Sequence, residues 1–202
     1  MHDEGVGAVS DPVPPRRNQR ERILDTALEL MAARGSAGVS MRQLAKACGV
    51  QVAAIYHYFP SKDALLTAVI EERRYSARLA DLAPLDIDAP VAERLRRVFE
   101  LFWEGAIEEE QVLRLLLGEA LRSEPVALPT GSALLEVFRT GVVMALEQVV
   151  PEVRDPKAVS EIYIAQVFSA FVRHVFEPDV PTDAIGEEHA EVLVRLVLSS
   201  LG

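Results

Sequence analysis

Apolar residues recur at three- and four-residue spacings along most of the chain, as in Ile23, Ala27, Leu30 and Met31 or Leu95, Phe99, Phe102 and Ala106. That is the period of a helix with one buried face, and no run shows the period of two that a half-buried strand requires. Breakers cut the pattern into helix-length pieces: Gly35 and Gly38, Gly49, Pro60, Pro84 and Pro90, Pro125 to Gly131, Pro151 and Pro156, Pro178 and Pro181. The chain is predicted to be all-α, with about nine helices near 17–34, 40–47, 51–58, 61–80, 91–110, 111–123, 132–150, 157–177 and 184–201. There is no internal repeat. The opening stretch, Met1 to Pro15, mixes acids, Gly and Pro without an apolar core, so it reads as a disordered tail and not as a secretory signal.

Two segments are apolar on most sides. Ala158 to Phe176 carries only Glu161 and Arg173 as charged side chains, and Ser132 to Val150 only Glu136, Arg139 and Glu147. A helix without a wet face must be covered all round. The two segments, 132–150 and 157–177, are therefore expected to pack inward on their own chain and outward on a copy of it, as a four-helix core of a twofold dimer. Ala165, Ser169 and Ala170 would allow close approach.

Charge separates the chain into two parts. Residues 16–62 hold eight basic and three acidic side chains, a net of +5, within a 202-residue chain whose net charge is −10. A basic module on an acidic body suits a protein in which one end attracts phosphate and the other does not. Half the residues are apolar, which excludes a disordered chain, and no apolar run reaches the length of a bilayer span; Ile162 to Val172 is broken by Gln166 and Ser169. A cytoplasmic location is expected. Cys48 stands alone, so an internal disulfide or a thiolate zinc cluster is excluded.

The basic module has the grammar of a helix-turn-helix. Ser40-Met41-Arg42-Gln43 is a reciprocal capping box: the Ser40 hydroxyl accepts from the Gln43 backbone and the Gln43 side chain reaches back. Ala45 is small where two helices cross, Gly49 can take the left-handed turn conformation, and Val50 and Ile55 fill the angle between the helices. Leu44, Cys48 and Tyr58 complete the inner face. The opposite face of the third helix presents Gln51, Val52, Ala53, Ala54 and His57, short or polar side chains that let a helix enter a major groove. Pro60 ends that helix. Ser61-Lys62-Asp63 then starts the next, where Lys62 and free backbone N–H groups can hold a phosphate.

The stretch Arg20 to Leu66 resembles the DNA-binding domain of the TetR family of transcriptional repressors. The resemblance rests on Ile23-Leu24-Asp25-Thr26-Ala27, the Gly35 and Gly38 loop, Ser40 to Ala45, Gly49-Val50, and Ile55-Tyr56-His57-Tyr58-Phe59-Pro60-Ser61-Lys62-Asp63-Ala64-Leu65. It implies a disordered tail at 1–15, a DNA-binding domain at 16–62 and a helical effector-binding and dimerisation domain at 63–202. Carried over by position, it implies phosphate contacts for Arg42 and Lys62, base-edge positions for Val52, Ala53, Ala54 and His57, and mixed packing and backbone roles for Tyr56 and Tyr58. With the capping Ser40 these make up the expected interface to palindromic double-stranded DNA. Gln51 departs from the family pattern, standing where many relatives have Ser or Thr, so the recognition helix lacks a small cap. Ala53 and Ala54 leave few groups for bidentate contacts, so thymine methyls and DNA shape have to contribute to recognition.

The resemblance also implies a small-molecule effector in the acidic half, and the aliphatic composition there points to an apolar or amphiphilic one. Candidate contacts are Phe99, Phe102, Trp103, Leu117, Phe138, Tyr163, Gln166, Phe171 and His174, with Leu116 and Glu119 nearby. The expected switch is a swing of the helix at 61–80 relative to the first, changing the spacing of the two recognition helices. Inducer and co-repressor action both remain open. No cofactor or metal is expected. Cys48 and His57 point to opposite sides of the helix-turn-helix, and His174 and His189 lack partners at metal-ligand spacing. Glu108-Glu109-Glu110 and Glu187-Glu188-His189 read as solvated helix ends. An enzyme is therefore set aside, and the alternative kept is a helical ligand carrier or adaptor that has lost DNA binding.

Overall fold

The computed structural model describes residues 19–72, 87–125 and 127–201. Among these there are nine helices and no strand: α1 (Gln19–Arg34), α2 (Met41–Cys48), α3 (Val52–Tyr58), α4 (Lys62–Glu72), α5 (Val91–Glu108), α6 (Glu110–Leu121), α7 (Ala127–Val149), α8 (Pro156–Phe176) and α9 (Thr182–Leu201). The expected all-α class holds. The tail at 1–15 and the second half of the helix expected over 61–80 lie outside the described residues.

One boundary needed correcting. The helix expected at 132–150 begins at Ala127, because Pro129 sits in its first turn, where a backbone N–H has no helical partner and a proline costs little. Pro156 does the same service at the start of α8, beside Asp155, whose carboxylate accepts from the Ala158 N–H at 3.0 Å.

The buried side chains form two clusters. The first gathers Ile23, Leu24, Ala27 and Met31 of α1, Leu44, Ala45 and Cys48 of α2, Ile55 of α3 and Leu65, Leu66, Val69 and Ile70 of α4. The second is built from α5, α7, α8 and α9 around Phe99, Phe102, Val142, Leu146, Tyr163, Phe171 and Leu193. Helix α6 serves both, since Leu115 and Leu116 are buried in the first while Leu113 and Leu117 pack on the second. It is the mechanical element common to head and body.

Buried polar side chains tie the helices of the body together, and among the described residues His174 Nδ1 is buried without a hydrogen-bond partner. The Tyr163 hydroxyl donates to the Leu95 carbonyl at 2.8 Å, and burial pushes its ionisation far above the ordinary range. Buried Arg94 donates to the carbonyls of Ala89 and Val149 at 2.8 and 2.6 Å and to Glu152, tying the start of α5 to the end of α7. At the α5–α9 crossing, a Cβ on Gly186 would lie 2.6 Å from the Trp103 ring, so the helices approach this closely only with glycine there.

Candidate nucleic-acid interface and apolar cavity

The head is positioned by caps encoded within a few residues of each helix end. The Gln43 N–H donates to Ser40 Oγ at 3.2 Å, and the Ser40 N–H donates to Gln43 Oε1 at 2.8 Å, so the reciprocal box forms as expected. Gly49 ends α2 at φ +66°, with its N–H directed to Lys46 O and the Val50 N–H to Ala45 O. Arg22 adds a 3.4 Å contact to the Cys48 carbonyl. Gln51 precedes α3 in an extended conformation and makes no side-chain cap, as its departure from a short hydroxyl suggested. Phe59 is extended, in keeping with the Pro60 that follows it, and the Ser61 hydroxyl accepts from the Ala64 N–H at 3.0 Å.

The result is a concave surface lined by Ala37, Val39, Ser40, Met41, Arg42, Val52, Tyr56 and Lys62. Five residues named from sequence, Ser40, Arg42, Val52, Tyr56 and Lys62, therefore meet on one face. Gln51, Ala53 and His57 are exposed beside it, and Ala54 is half-buried. Tyr58 differs from Tyr56: it is half-buried, its hydroxyl donates to Gln19 Oε1 at 3.3 Å, and its ring meets His57 edge-on at 5.1 Å. Arg20 braces the head from behind, with its guanidinium 5.2 Å from the centre of the Phe59 ring and paired with Glu72 of α4. A face carrying Arg42 and Lys62 around the free end of a short, small-residue helix can accept phosphate oxygens while that helix meets base edges.

Head and body are joined by a buried carboxylate. Glu119 of α6 is fully buried; its two oxygens accept from the Ser36 backbone N–H and the Ser36 hydroxyl, both at 2.8 Å, and from Arg122 at 2.6 Å. Burial alone would push this carboxyl up. The Ser36 N–H, the Arg122 guanidinium and the Ser36 hydroxyl outweigh it and hold the group below the usual carboxylate range. Arg122 also crosses Gly35, whose φ of +71° favours glycine.

A cavity of about 610 Å³ lies between the end of α5 and helices α6, α7 and α8. Of the residues expected to meet an effector, Phe102, Leu116, Leu117, Phe138 and Phe171 line it. Phe99, Trp103, Tyr163, Gln166 and His174 do not. Phe99 is core, Trp103 packs on Gly186, Tyr163 bonds Leu95, Gln166 Oε1 meets His189 Nδ1 at 2.8 Å, and His174 Nε2 is 3.4 Å from Glu110. Residues missed from sequence include Glu109, Ser132, Leu135, Glu161, Ile164 and Phe168. For Glu109 a signal existed: it continues the Phe102, Ala106 spacing along α5, although the acidic triplet reads as a solvated end. Glu110 is likewise engaged, with Arg114 and His174, and Glu188 with Arg173.

Helix α8 exposes Ala165, Phe168, Ser169, Val172 and Phe176 in a stripe that runs on from the cavity, whose wall includes Ala165 and Phe168, whereas Ala170 is buried in its own chain. On α9, Val192, Leu196 and Leu198 are exposed. Helix α7 buries Val142, Ala145, Leu146 and Val149 in its own core and leaves Leu128, Leu135, Val137 and Met144 exposed. Among the described residues no helix is long and apolar enough to cross a membrane, and no cluster of His, Cys, Asp and Glu could hold a metal ion.

Residues 23–69 match the family described as bacterial regulatory proteins, tetR family. A transcriptional regulator of the helix-turn-helix type from Xanthobacter autotrophicus, encoded in the dhlA 5′ region, is 27% identical over 90% of this chain and 89% of its own. Other curated relatives are matched over about half their length. Among solved structures, a transcriptional regulator from Aquifex aeolicus superposes with a TM-score of 0.68 at 22% identity, covering 89% of this chain and 99% of that one. AibR, solved with isovaleryl coenzyme A and operator DNA, superposes with a TM-score of 0.64 at 22% identity, covering 88% and 98%. At these identities the likeness to the solved structures is one of fold.

Proposed function

We propose, since the chain belongs to the TetR family of bacterial transcriptional regulators, that it is a repressor that binds a palindromic operator as a homodimer and is released by a small apolar or amphiphilic molecule. The observation that carries this reading is the concave face on which Ser40, Arg42, Val52, Tyr56 and Lys62 converge beside the exposed residues of α3. Arg42, Lys62 and the start of α4 hold phosphates; Val52, Ala53, Ala54 and His57 meet base edges; Gln51 lies at the groove rim; Ser40 fixes the start of α2, and Tyr56 and Tyr58 set the distance to the backbone. Residues 16–62 act as the head and 63–202 as the body, although the first turns of α4 share the head's core. Nothing in this division asks for catalysis, a cofactor or a metal, and the work is done in the cytoplasm, where the DNA is.

Two heads are brought together through α7 and α8, because these helices carry uncovered apolar side chains, Leu135, Val137 and Met144 on the one and Phe168, Val172 and Phe176 on the other. Helix α9 flanks them with exposed Val192, Leu196 and Leu198. An interface on the order of 2,000 Å² is needed for an obligate pair. The cavity supplies the switch. Its wall includes Leu116 and Ala120 of α6, and the same helix holds the head through Glu119. A ligand that fits best when α6 is displaced shifts the population towards a state in which α1 and α4 carry the recognition helices off the groove repeat.

The test is a salt titration of binding to specific and random duplexes. Lys62→Ala is expected to weaken both alike and to reduce the slope of log affinity against log salt by about 2, the loss of one phosphate contact from each half of the dimer. His57→Ala is expected to weaken the specific complex more, by about 1 to 3 kcal/mol, and to relax the preference at one base position. If His57→Ala lowers affinity for both duplexes equally, it is not a reader; if salt leaves retention of the wild type unchanged, the DNA-binding reading itself is wrong.

A further inference from the structure

The cavity between α5, α6, α7 and α8 gives the effector a chemical class, an inference that rests on the function proposed above. Its wall is nearly all hydrocarbon, and four phenyl rings, Phe102, Phe138, Phe168 and Phe171, belong to it. Phe102 and Phe138 stack obliquely with centres 4.7 Å apart. Among the described residues the ionisable side chains in the wall are Glu109 and Glu161, and no Lys, Arg or His lines it. Glu161 sits at the mouth, where it accepts from Arg139 at 2.6 Å, and Arg139 also donates to Glu136 at 2.6 Å, so the trio keeps one net negative charge.

We propose that this cavity takes an organic cation whose charge is quaternary or delocalised over an apolar body. An anion placed there would lose its water, find no positive side chain among the described residues of the wall and lie near carboxylates, which makes burial costly. A cation meets the opposite field. Phenyl faces carry negative quadrupole potential that attracts it, and the carboxylates add to that attraction. A primary ammonium brings three N–H donors that need acceptors, whereas the wall offers Ser132 and the two carboxylates; a quaternary or delocalised cation needs no such partners and lets its hydrocarbon fill the space.

The experiment compares tetraphenylphosphonium with tetraphenylborate, ions of matched size and shape and opposite charge, by isothermal titration of the full chain. The phosphonium is expected to bind at least about tenfold tighter, and Glu161→Gln and Glu109→Gln are each expected to narrow that ratio several-fold. A ratio at or below one overturns the inference. So does a ratio that both variants leave unchanged, because the chain's overall charge of −10, and not its cavity, would then be selecting the cation. If both ions bind equally, the cavity stands as an effector site and only the charge selection falls. If neither binds while duplex DNA is still retained, the effector cavity falls with it.

Discussion

A chain carrying Val172→Asp together with Phe176→Asp is expected to sediment as a monomer at micromolar concentration and to lose at least about a hundredfold in affinity for a two-half-site duplex. Both side chains are open to solvent in the single chain, 36% and 80% exposed, so their replacement leaves the fold of the protomer intact. Four buried carboxylates would face each other across the twofold axis, an arrangement whose desolvation and repulsion no apolar contact there offsets. Neither residue lines the effector cavity or approaches the head. The affinity loss follows because the second head then binds from solution and not at the high effective concentration a linked partner provides. Helical content by circular dichroism should be unchanged. A doubly substituted chain that remains dimeric would move the interface away from the α8 stripe.

Glu119→Ala is expected to destabilise the protein by about 3 kcal/mol, because it leaves the Ser36 N–H and hydroxyl buried without their acceptor. For a chain of this size that is a fall in melting temperature of about 6 to 12 °C. Ser36→Ala removes one of the two contacts and should cost about 1 kcal/mol. The double variant should cost little more than Glu119→Ala alone, since both changes abolish the same interaction. Additive losses would mean that Glu119 and Ser36 act independently. The same contact carries a pH dependence. The Glu119 carboxyl sits lower in the folded chain than in the unfolded one, so its contribution is complete above the unfolded value of about 4.3 and is lost as pH falls through the folded value. Wild type should therefore lose stability on acidification through that range more steeply than Glu119→Ala does.

The head was legible in the sequence because its signals are local. The Ser40 and Gln43 box, the left-handed Gly49, the buried Ile55 and the stop at Pro60 each depend on residues only a few positions apart, and each forms as expected. The body was legible only as a set of helices. The start of α7 was missed because Pro129 reads as a breaker, although the first turn of a helix accepts it. The clasp between α6 and the head joins Ser36 to Glu119 across 83 residues, a pairing no local pattern encodes. A clue was present: Val112, Leu115, Leu116 and Glu119 share one face of α6, so a carboxylate stands at an apolar position and demands partners. Trp103 and Tyr163 were plausible ligand contacts by composition, but pockets and cores are built from the same side chains. What separates them here is the close approach of Gly186 and the carbonyl of Leu95.

The exposed stripe on α8 illustrates the same limit. Its apolar composition showed that the helix must be covered all round, and the structure locates the uncovered part at Ala165, Phe168, Val172 and Phe176. Which second helix joins it is not read from composition, because α7 and α9 each bury one apolar face in the chain and leave other apolar side chains uncovered.

Selection of bound sequences from a pool of random duplex DNA tests the central claim most directly. The account predicts enrichment of an inverted repeat whose half-sites are centred about 10 base pairs, or a multiple of that, apart, bound with two chains or a multiple of two per site. Absence of any enriched duplex, or enrichment of an asymmetric single site bound by one chain, would contradict it.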